Sequence, residues 1–296
     1  MQESGGRSAV RAIVLAAATL MLVCAVATSN AAEPAGTRST NGKIAFVREG
    51  AKWPLNDIYV MYGDGTGVRR VTRTTTQWRH DPAWSPDGRR IAFGVTKPTP
   101  GGVWVVDADG SAPRRIAYGS APTWSADGRM IAFSRWVEPD TPKLLVTSID
   151  GTRVRRLTER NAYDLDPAWS PDGRAIAFLR GVEPDIYVIT PAGTGLRRLA
   201  RTPRVNEERP AWSPDGKQLA FVGRVGFDVG LYVMNSDGSG RRRLTRGFHV
   251  NSPTWSPDAR TIAFSRSGNI YVVNADGSGV RLLAREGLTP AWVATG

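Results

Sequence analysis

A three-residue motif, Pro-[Ala/Thr]-Trp, recurs along the chain and constrains its fold more than any other feature. The six copies are Pro82–Trp84, Pro122–Trp124, Pro167–Trp169, Pro210–Trp212, Pro253–Trp255 and Pro290–Trp292. Successive tryptophans are 40, 45, 43, 43 and 37 residues apart. This period is typical of a four-stranded propeller blade and is too long for a leucine-rich repeat.

The same strand and turn signals follow the motif from one unit to the next. A turn such as Ser85–Gly88 combines a proline that presets φ, an aspartate that caps its own backbone and a glycine that accepts positive φ. An Ile-Ala-Phe strand such as Ile91–Phe93 comes next, then a strand such as Val103–Val105 and a turn such as Asp109–Gly110. A basic, then aliphatic strand such as Arg69–Val71 ends the unit.

The units are incomplete at both ends of the repeat region. The unit that begins at Ile44 has no Pro-x-Trp strand before it, and Pro290–Trp292 has no strands after it. Joining these two halves removes two exposed sheet edges. We therefore predict an all-β, six-bladed β-propeller of four-stranded antiparallel blades, with the first blade closed by the C-terminal strand.

The N-terminal segment has the three parts of a secretory signal. Residues 1–11 are polar and basic, the run Ala12–Ala27 is apolar, and small residues follow at Ser29, Ala31 and Ala32. This pattern predicts a signal peptide that is cleaved after Ala31 or Ala32. The apolar run is short for a bilayer core of about 30 Å, so no stable membrane span is expected after cleavage.

These observations divide the chain into a signal peptide at 1–32, a linker at 33–42 and a propeller at 43–296. The protein is expected to be exported to the periplasm or the extracellular side of the cell envelope. An uncleaved anchor or a lipid anchor is the alternative. Cys24, the only cysteine, lies within the predicted signal, so cleavage after Ala32 would leave a mature chain with no disulfide or cysteine metal site.

Over residues 42–292 the repeats, with their Pro-x-Trp-Ser-Pro-Asp-Gly and Ile-Ala-Phe motifs, resemble the propellers of the TolB family. The resemblance implies a periplasmic propeller that binds a peptidoglycan-associated lipoprotein and other envelope partners. TolB proteins carry an α/β domain between signal and propeller, whereas only about ten residues separate Ala32 from Lys43 here. The expectation is a TolB-like propeller without that domain. Similar repeats also form gating domains of peptidases and whole sugar lyases, so the fold alone does not fix the function.

The loops that lead into each first strand are the predicted partner-binding site, because they cross one face toward the channel mouth. They contribute Trp78, Arg79, His80, Asp81, Tyr163, Asp164, Asp166, Glu207, Glu208, Arg209, His249 and Asn251. Polar groups from several blades can converge there on a peptide or a cation. Asp81, Asp166 and Ser252 each precede a proline, so capping of a turn is an equally good interpretation of these three.

The repeated tryptophans and arginine pairs have structural interpretations. A tryptophan buries about 150–250 Å², which favours packing between blades over a ligand platform. The resemblance implies that the fourth strand is the outermost, so the arginine pairs are expected there, where blunting of the sheet edge is favoured over a polyanion site.

The net positive charge predicts a second class of partner. The net charge is +12, and residues 1–32 contribute two arginines and one glutamate, or +1, which leaves +11 on the mature chain. This charge attracts an anionic polymer or surface. Nucleic acid is not expected, because the protein is exported and no stacking aromatics alternate with the basic pairs. A monomer is expected.

Catalytic motifs are not found. The two histidines are His80 and His249, and the chain has neither a Gly-x-Ser-x-Gly elbow nor a His-Glu-x-x-His helix. No cofactor, metal or catalytic residue is therefore assigned. The leading hypothesis is a non-catalytic envelope scaffold that holds a protein or peptide on the channel-mouth face. Its alternative is a metal-assisted lyase or hydrolase that acts on an acidic polysaccharide.

Overall fold

Each sequence repeat folds into one four-stranded antiparallel sheet. The computed structural model describes residues 41–49, 56–73, 77–96, 101–137, 141–159, 162–199, 205–247 and 249–294. The predicted signal peptide and residues 33–40 of the predicted linker lie outside these ranges. No helix in the described ranges has the length and apolar character that crossing a membrane requires.

The strands are numbered in chain order. They are β1 Lys43–Glu49, β2 Asn56–Tyr62, β3 Arg69–Arg70, β4 Arg79–Trp84, β5 Arg90–Val95, β6 Gly102–Asp107, β7 Arg114–Ala117, β8 Ser120–Trp124, β9 Met130–Val137, β10 Thr141–Ser148, β11 Val154–Arg156, β12 Asp164–Trp169, β13 Ile176–Arg180, β14 Asp185–Ile189, β15 Arg197–Arg198, β16 Asn206–Trp212, β17 Gln218–Val225, β18 Asp228–Asn235, β19 Arg242–Arg243, β20 Val250–Trp255, β21 Thr261–Arg266, β22 Asn269–Asn274, β23 Arg281–Ala284 and β24 Leu288–Val293.

The strands form six sheets, which confirms the predicted propeller. Blade 1 has the order β24-β1-β2-β3, and blades 2 to 6 are β4–β7, β8–β11, β12–β15, β16–β19 and β20–β23. The Pro-x-Trp strand is the innermost strand of every blade. β24 pairs with β1 in antiparallel register, with Trp292 opposite Ile44, so the C-terminal strand closes the first blade as predicted.

The hydrophobic core lies between the blades. Each buried apolar cluster of the described residues joins two neighbouring sheets, and together the clusters form a closed ring. In β5, Ile91 and Phe93 pack toward blade 1, whereas Ala92 packs toward blade 3. The Ile-Ala-Phe motif thus presents large side chains to one neighbour and a small one to the other. This alternation lets sheets stack tightly around an axis.

The repeated tryptophans also connect blades, as predicted. The indole Nε1 of Trp124 donates to the carbonyl of Ala83 at 3.0 Å, and Trp255 donates to Ala211 at 3.2 Å. Donor and acceptor belong to consecutive blades in both cases. Each of these tryptophans therefore buries a large apolar surface and satisfies its polar atom in one contact.

The Ser-Pro-Asp-Gly turn contains a small hydrogen-bond network. The buried Ser85 hydroxyl donates to Asp87 at 2.5 Å and accepts from the backbone N–H of Arg90 at 2.9 Å. The same network recurs around Ser125, Ser170, Ser213 and Ser256. It holds the first and second strands together and explains why the serine accompanies the turn.

The arginine pairs have specific partners as well as an exposed position. The first arginine reaches the next blade: Arg69 donates to the carbonyl of Ala108 at 2.8 Å, and Arg155 donates to that of Pro191 at 2.5 Å. The second arginine stays within its blade, as where Arg243 pairs with Asp228 at 2.6 Å. The pairs therefore tie turns and blades together, a role that the sequence analysis did not identify.

Candidate functional site

The residue before the proline of each Pro-x-Trp motif has an unusual backbone conformation. The φ angles of these six non-glycine residues lie between 43° and 54°. They are Asp81, Ala121, Asp166, Arg209, Ser252 and Thr289. The pairing register shifts at each of these positions, which marks a bulge in every innermost strand. Such conformations cost energy and are kept where the surrounding structure imposes them.

The bulges bring these six residues and the prolines that follow them to one pocket on the channel axis. We call this set of six the channel ring. The pocket is small, with about 120 Å³ open to water. Every blade contributes one ring residue, so a ligand in the pocket would touch all six sheets.

An ion-pair network fills part of the channel ring. Arg209 Nη1 lies 2.7 Å from Asp81 Oδ1, and Arg209 Nε lies 3.3 Å from Asp166 Oδ2. Arg209 is in blade 5, Asp81 in blade 2 and Asp166 in blade 4. Blades 2 and 5 are three steps apart in a ring of six, so the Arg209–Asp81 pair spans the channel axis.

The two carboxylates of this network titrate differently. Burial opposes ionisation of Asp81, but Arg209 and His80 outweigh it and hold the pKa of Asp81 below its usual range. Burial raises the pKa of Asp166, and Arg209 offsets this only in part. Both carboxylates raise the pKa of Arg209, so its positive charge is fixed. The network can hold a proton on Asp166 more readily than on Asp81.

His80 packs against Asp81 of the channel ring. Its Nδ1 lies 3.0 Å from Asp81 Oδ2, and its imidazole occupies the space that a side chain at Gly94 would need. Its Nε2 is buried and has no hydrogen-bond partner among the described residues. His80 is therefore packed against Asp81 and is only partly exposed.

Three predicted site residues lie in the interior. Arg79, Asp164 and Glu207 are buried and occupy equivalent positions, three residues before the motif proline. Asp164 pairs with Arg180 at 2.7 Å and Arg79 with Asp57 at 2.8 Å. Glu207 accepts the backbone N–H of Ile186 at 2.8 Å. These contacts connect strands and blades, so we leave the three residues out of the proposed partner surface.

The remaining predicted residues lie nearer the solvent. Trp78, Tyr163 and His249 are exposed. Glu208 is half-buried and pairs with Arg224 at 3.0 Å. Asn251, also half-buried, accepts the N–H of Ser252 at 2.8 Å. Only the first three present side chains that are exposed to a partner.

Antiparallel order places these exposed residues on one end of the propeller. The loops into each innermost strand share that end with the hairpins between second and third strands, because strand direction alternates. We call this end the loop face; its exposed aromatic residues are Trp78, Tyr118, Trp136, Tyr163 and Phe227. Trp136 and Tyr163 meet edge to face with ring centroids 6.2 Å apart, which joins blade 3 to the loop before blade 4.

Several residues of the loop face were not predicted from the sequence. Trp136 is 64 % exposed, Val182 83 % and Phe227 90 %, and all three lie at or beside second-to-third-strand hairpins. A signal was present for Phe227, because it stands beside Gly226 in a tight turn where a large side chain cannot reach a core. No group of three or more His, Cys, Asp or Glu residues within the described ranges could hold a metal ion.

Comparisons with known proteins agree with this architecture. TolB from Acinetobacter baumannii is similar with a TM-score of 0.74 and 22 % identity; the match covers 85 % of this chain and 66 % of that one. A chain of the nidogen/laminin complex has a TM-score of 0.68 and 13 % identity, with 86 % and 98 % covered. Oligogalacturonate lyase from Vibrio parahaemolyticus has a TM-score of 0.56 and 14 % identity, with 78 % and 71 % covered.

At these identities the structures share the fold with this chain and nothing more specific. A search of curated proteins gave no match. The sequence itself matches the TolB beta propeller domain over residues 39–295, which includes every strand described above. The six repeats, the closure by β24 and this match lead to one assignment: the chain belongs to the TolB beta propeller family.

Proposed function

We propose that this protein is an exported, non-catalytic scaffold of the cell envelope that holds a protein or peptide partner on its loop face. One observation carries the proposal: several large aromatic side chains are exposed on that face. Tryptophan and tyrosine are enriched at the centres of protein interfaces. Trp136 and Tyr163, which touch each other, would form the centre of the contact.

The channel ring lies beneath this surface and supplies fixed charge. Arg209 remains positive, and Asp81 remains ionised over most of the pH range because its pKa is lowered. An extended peptide segment that enters the channel would meet hydrogen-bond donors and acceptors from opposite blades. In this proposal the aromatic surface provides affinity and the ring provides selectivity.

A pull-down from envelope extract tests the loop face. The variant Trp136→Ala/Tyr163→Ala removes the aromatic pair without touching the ion pairs. Its matched control is Leu196→Ala/Val280→Ala, which removes two exposed apolar side chains elsewhere on the propeller. We expect the first variant to recover partner at least about tenfold less efficiently and the control to match the wild type. Equal recovery by all three proteins would remove the loop face from consideration.

Export is tested separately. The proposal requires residues 1–32 to direct the chain across the inner membrane. Mass spectrometry of protein purified from the envelope fraction is expected to show a new N-terminus after Ala31 or Ala32. An intact N-terminus on protein from the cytoplasmic fraction would contradict export and leave the fold unaffected.

A further inference from the structure

A second concave surface lies on the outer side of the propeller, between blades 1 and 2. About 650 Å³ of it is open to water, which is enough for a small organic ligand. We call it the rim groove. The residues that line it and carry the argument are Arg69, Arg70, Arg73, Arg79, Trp104 and Asp109.

The rim groove has more positive than negative charge. Its four arginines face two carboxylates, Asp109 and the buried Asp57. Asp57 is shared, because both Arg70 and Arg79 pair with it. Arg73 is exposed and makes no hydrogen bond or ion pair with any residue that the structure describes. The groove therefore has guanidinium groups that an additional anion could neutralise.

Arg79 is the most unusual member of this set. The equivalent residues of the other blades are Gly119, Asp164, Glu207, Val250 and Gly287. Arg79 is the only cation among them, and its side chain is about nine-tenths buried. Its Nε is buried and lacks a hydrogen-bond partner within the described part of the chain. An unpaired buried donor costs free energy, and an anion beside the guanidinium would offset part of this cost.

The pKa of Arg79 points the same way. Burial lowers this pKa, Asp57 acts in the opposite direction, and Arg70 adds to the lowering. One carboxylate thus fails to compensate fully for the burial of the guanidinium. A second anion beside Arg79 would favour its charged form.

Trp104 also differs from its counterparts. Four blades have a tyrosine at this register position, opposite the core phenylalanine, and each tyrosine has an arginine guanidinium over its ring at 4.7 to 5.9 Å. In three of them that arginine stands two residues after the phenylalanine. Val95 occupies this place in blade 2. No guanidinium covers the Trp104 ring among the residues in the described ranges, and the ring lines the groove.

From this combination we propose that the rim groove binds a carboxylate attached to a six-membered ring. The ring would stack on Trp104, and the carboxylate would accept hydrogen bonds from the exposed Arg73 and lie beside the Arg79 guanidinium. Two sources carry this chemistry, a sugar acid of an envelope or extracellular polysaccharide and an aromatic acid. The groove extends from Asp109, in a third-to-fourth-strand turn, to Arg73, in the loop before β4. It does not include Trp136 or Tyr163, so this inference does not depend on the function proposed above.

Isothermal titration with defined probes tests the site. The probes are digalacturonate, benzoate, the neutral disaccharide cellobiose and inorganic phosphate. We expect one of the two ring acids to bind and both cellobiose and phosphate to bind more weakly. Binding of digalacturonate identifies a sugar acid as the ligand, and binding of benzoate identifies an aromatic acid. If neither acid binds, or if phosphate or cellobiose binds as tightly as they do, the proposal is wrong.

Three variants locate the binding. Arg73→Gln and Trp104→Leu should each weaken binding by about tenfold or more. Leucine is tolerated at this position, since Leu145 has the same register in blade 3. The matched control Arg197→Gln removes an exposed outer-strand arginine from the groove between blades 4 and 5 and should change binding by less than about twofold. Equal weakening by Arg73→Gln and Arg197→Gln would show attraction by net charge alone and overturn the site.

Discussion

Two aspartates of the channel ring have pKa values that are shifted in opposite directions. The pKa of Asp81 is lowered, so its ionised form stabilises the folded state, whereas the pKa of Asp166 is raised, so its ionised form is disfavoured there. Both residues have φ near 49°, a conformation that asparagine tolerates well. Asparagine substitutions at the two positions are therefore a matched pair.

The pair predicts different pH profiles of stability. At pH 7 we expect Asp81→Asn to lower the free energy of unfolding by about 1–3 kcal/mol and Asp166→Asn by less. The deficit of Asp81→Asn should be complete above the pKa of an unfolded aspartate, about 3.9, and shrink as pH falls below it. Asp166→Asn resembles the protonated residue, so its deficit should shrink at higher pH. Urea unfolding at a series of pH values from about 3 to about 7 measures the stability deficits of both variants. Equal deficits at every pH would contradict this assignment of charges.

Glycines in the third-to-fourth-strand turns lie close to the preceding blade. A Cβ on Gly238 would come within 2.0 Å of the carbonyl oxygen of Leu199, whereas a Cβ on Gly226 would meet nothing within 4 Å. Both have positive φ, at 92° and 57°. We expect Gly238→Ala to destabilise the protein by about 1–3 kcal/mol more than Gly226→Ala, as measured by thermal unfolding. Similar melting temperatures would mean that the blades separate at little cost.

For the predicted site residues, the sequence did not reveal which side chains face the channel axis. Most residues that were assigned to loops, such as Arg79 and Asp81, lie in the innermost strands. The sequence also did not separate Asp81, which faces the channel, from Arg79, which is buried. Side chains alternate along a regular strand, but the bulge before each proline breaks this alternation. Because a bulge depends on pairing with the next strand, a single strand's sequence does not reveal which side chain faces the axis.

At the scale of elements, closure of the ring depends on β24. This strand supplies the innermost position of blade 1, and Trp292 donates to the carbonyl of Asn41 at 2.5 Å. Deleting residues 288–296 would expose β1 and open the apolar contact with blade 6. We expect the melting temperature to fall by at least about 10 °C, the effect of several kcal/mol in a domain of this size. Deletion of residues 295–296 alone is the control. A shift of only about one or two degrees in the longer deletion would refute closure by β24.

Most elements could be predicted because their signals are local. Turns such as Ser85–Gly88 and strands such as Ile91–Phe93 are specified by neighbouring residues, and the unequal ends of the repeat predicted the pairing of β24 with β1. The hydrogen bonds that link neighbouring blades could not be predicted in this way. Arg69 bonds to the carbonyl of Ala108, almost forty residues later, and the sequence records only that an arginine is present.

At the scale of the whole molecule, net charge governs long-range attraction. The charge of +12 and pI near 10.5 predict retention on a heparin column at low salt. Retention should decline steeply between about 0.05 and 0.2 M salt, because exposed charges are screened. Arg73→Gln changes the total charge by one and should elute almost with the wild type. Retention that does not respond to salt would contradict electrostatic capture.

The channel ring has a consequence for how propellers of this type diversify. An acid, a base, a hydroxyl or a bare methyl group stands at the same backbone geometry in successive blades, so the main chain alone aims that position at the axis. The six side chains of the channel ring can thus be substituted one at a time without disturbing the sheets that carry them. Substitution at these six positions, in evolution or by design, could change the charged lining of the channel into an apolar lining or a metal-binding site.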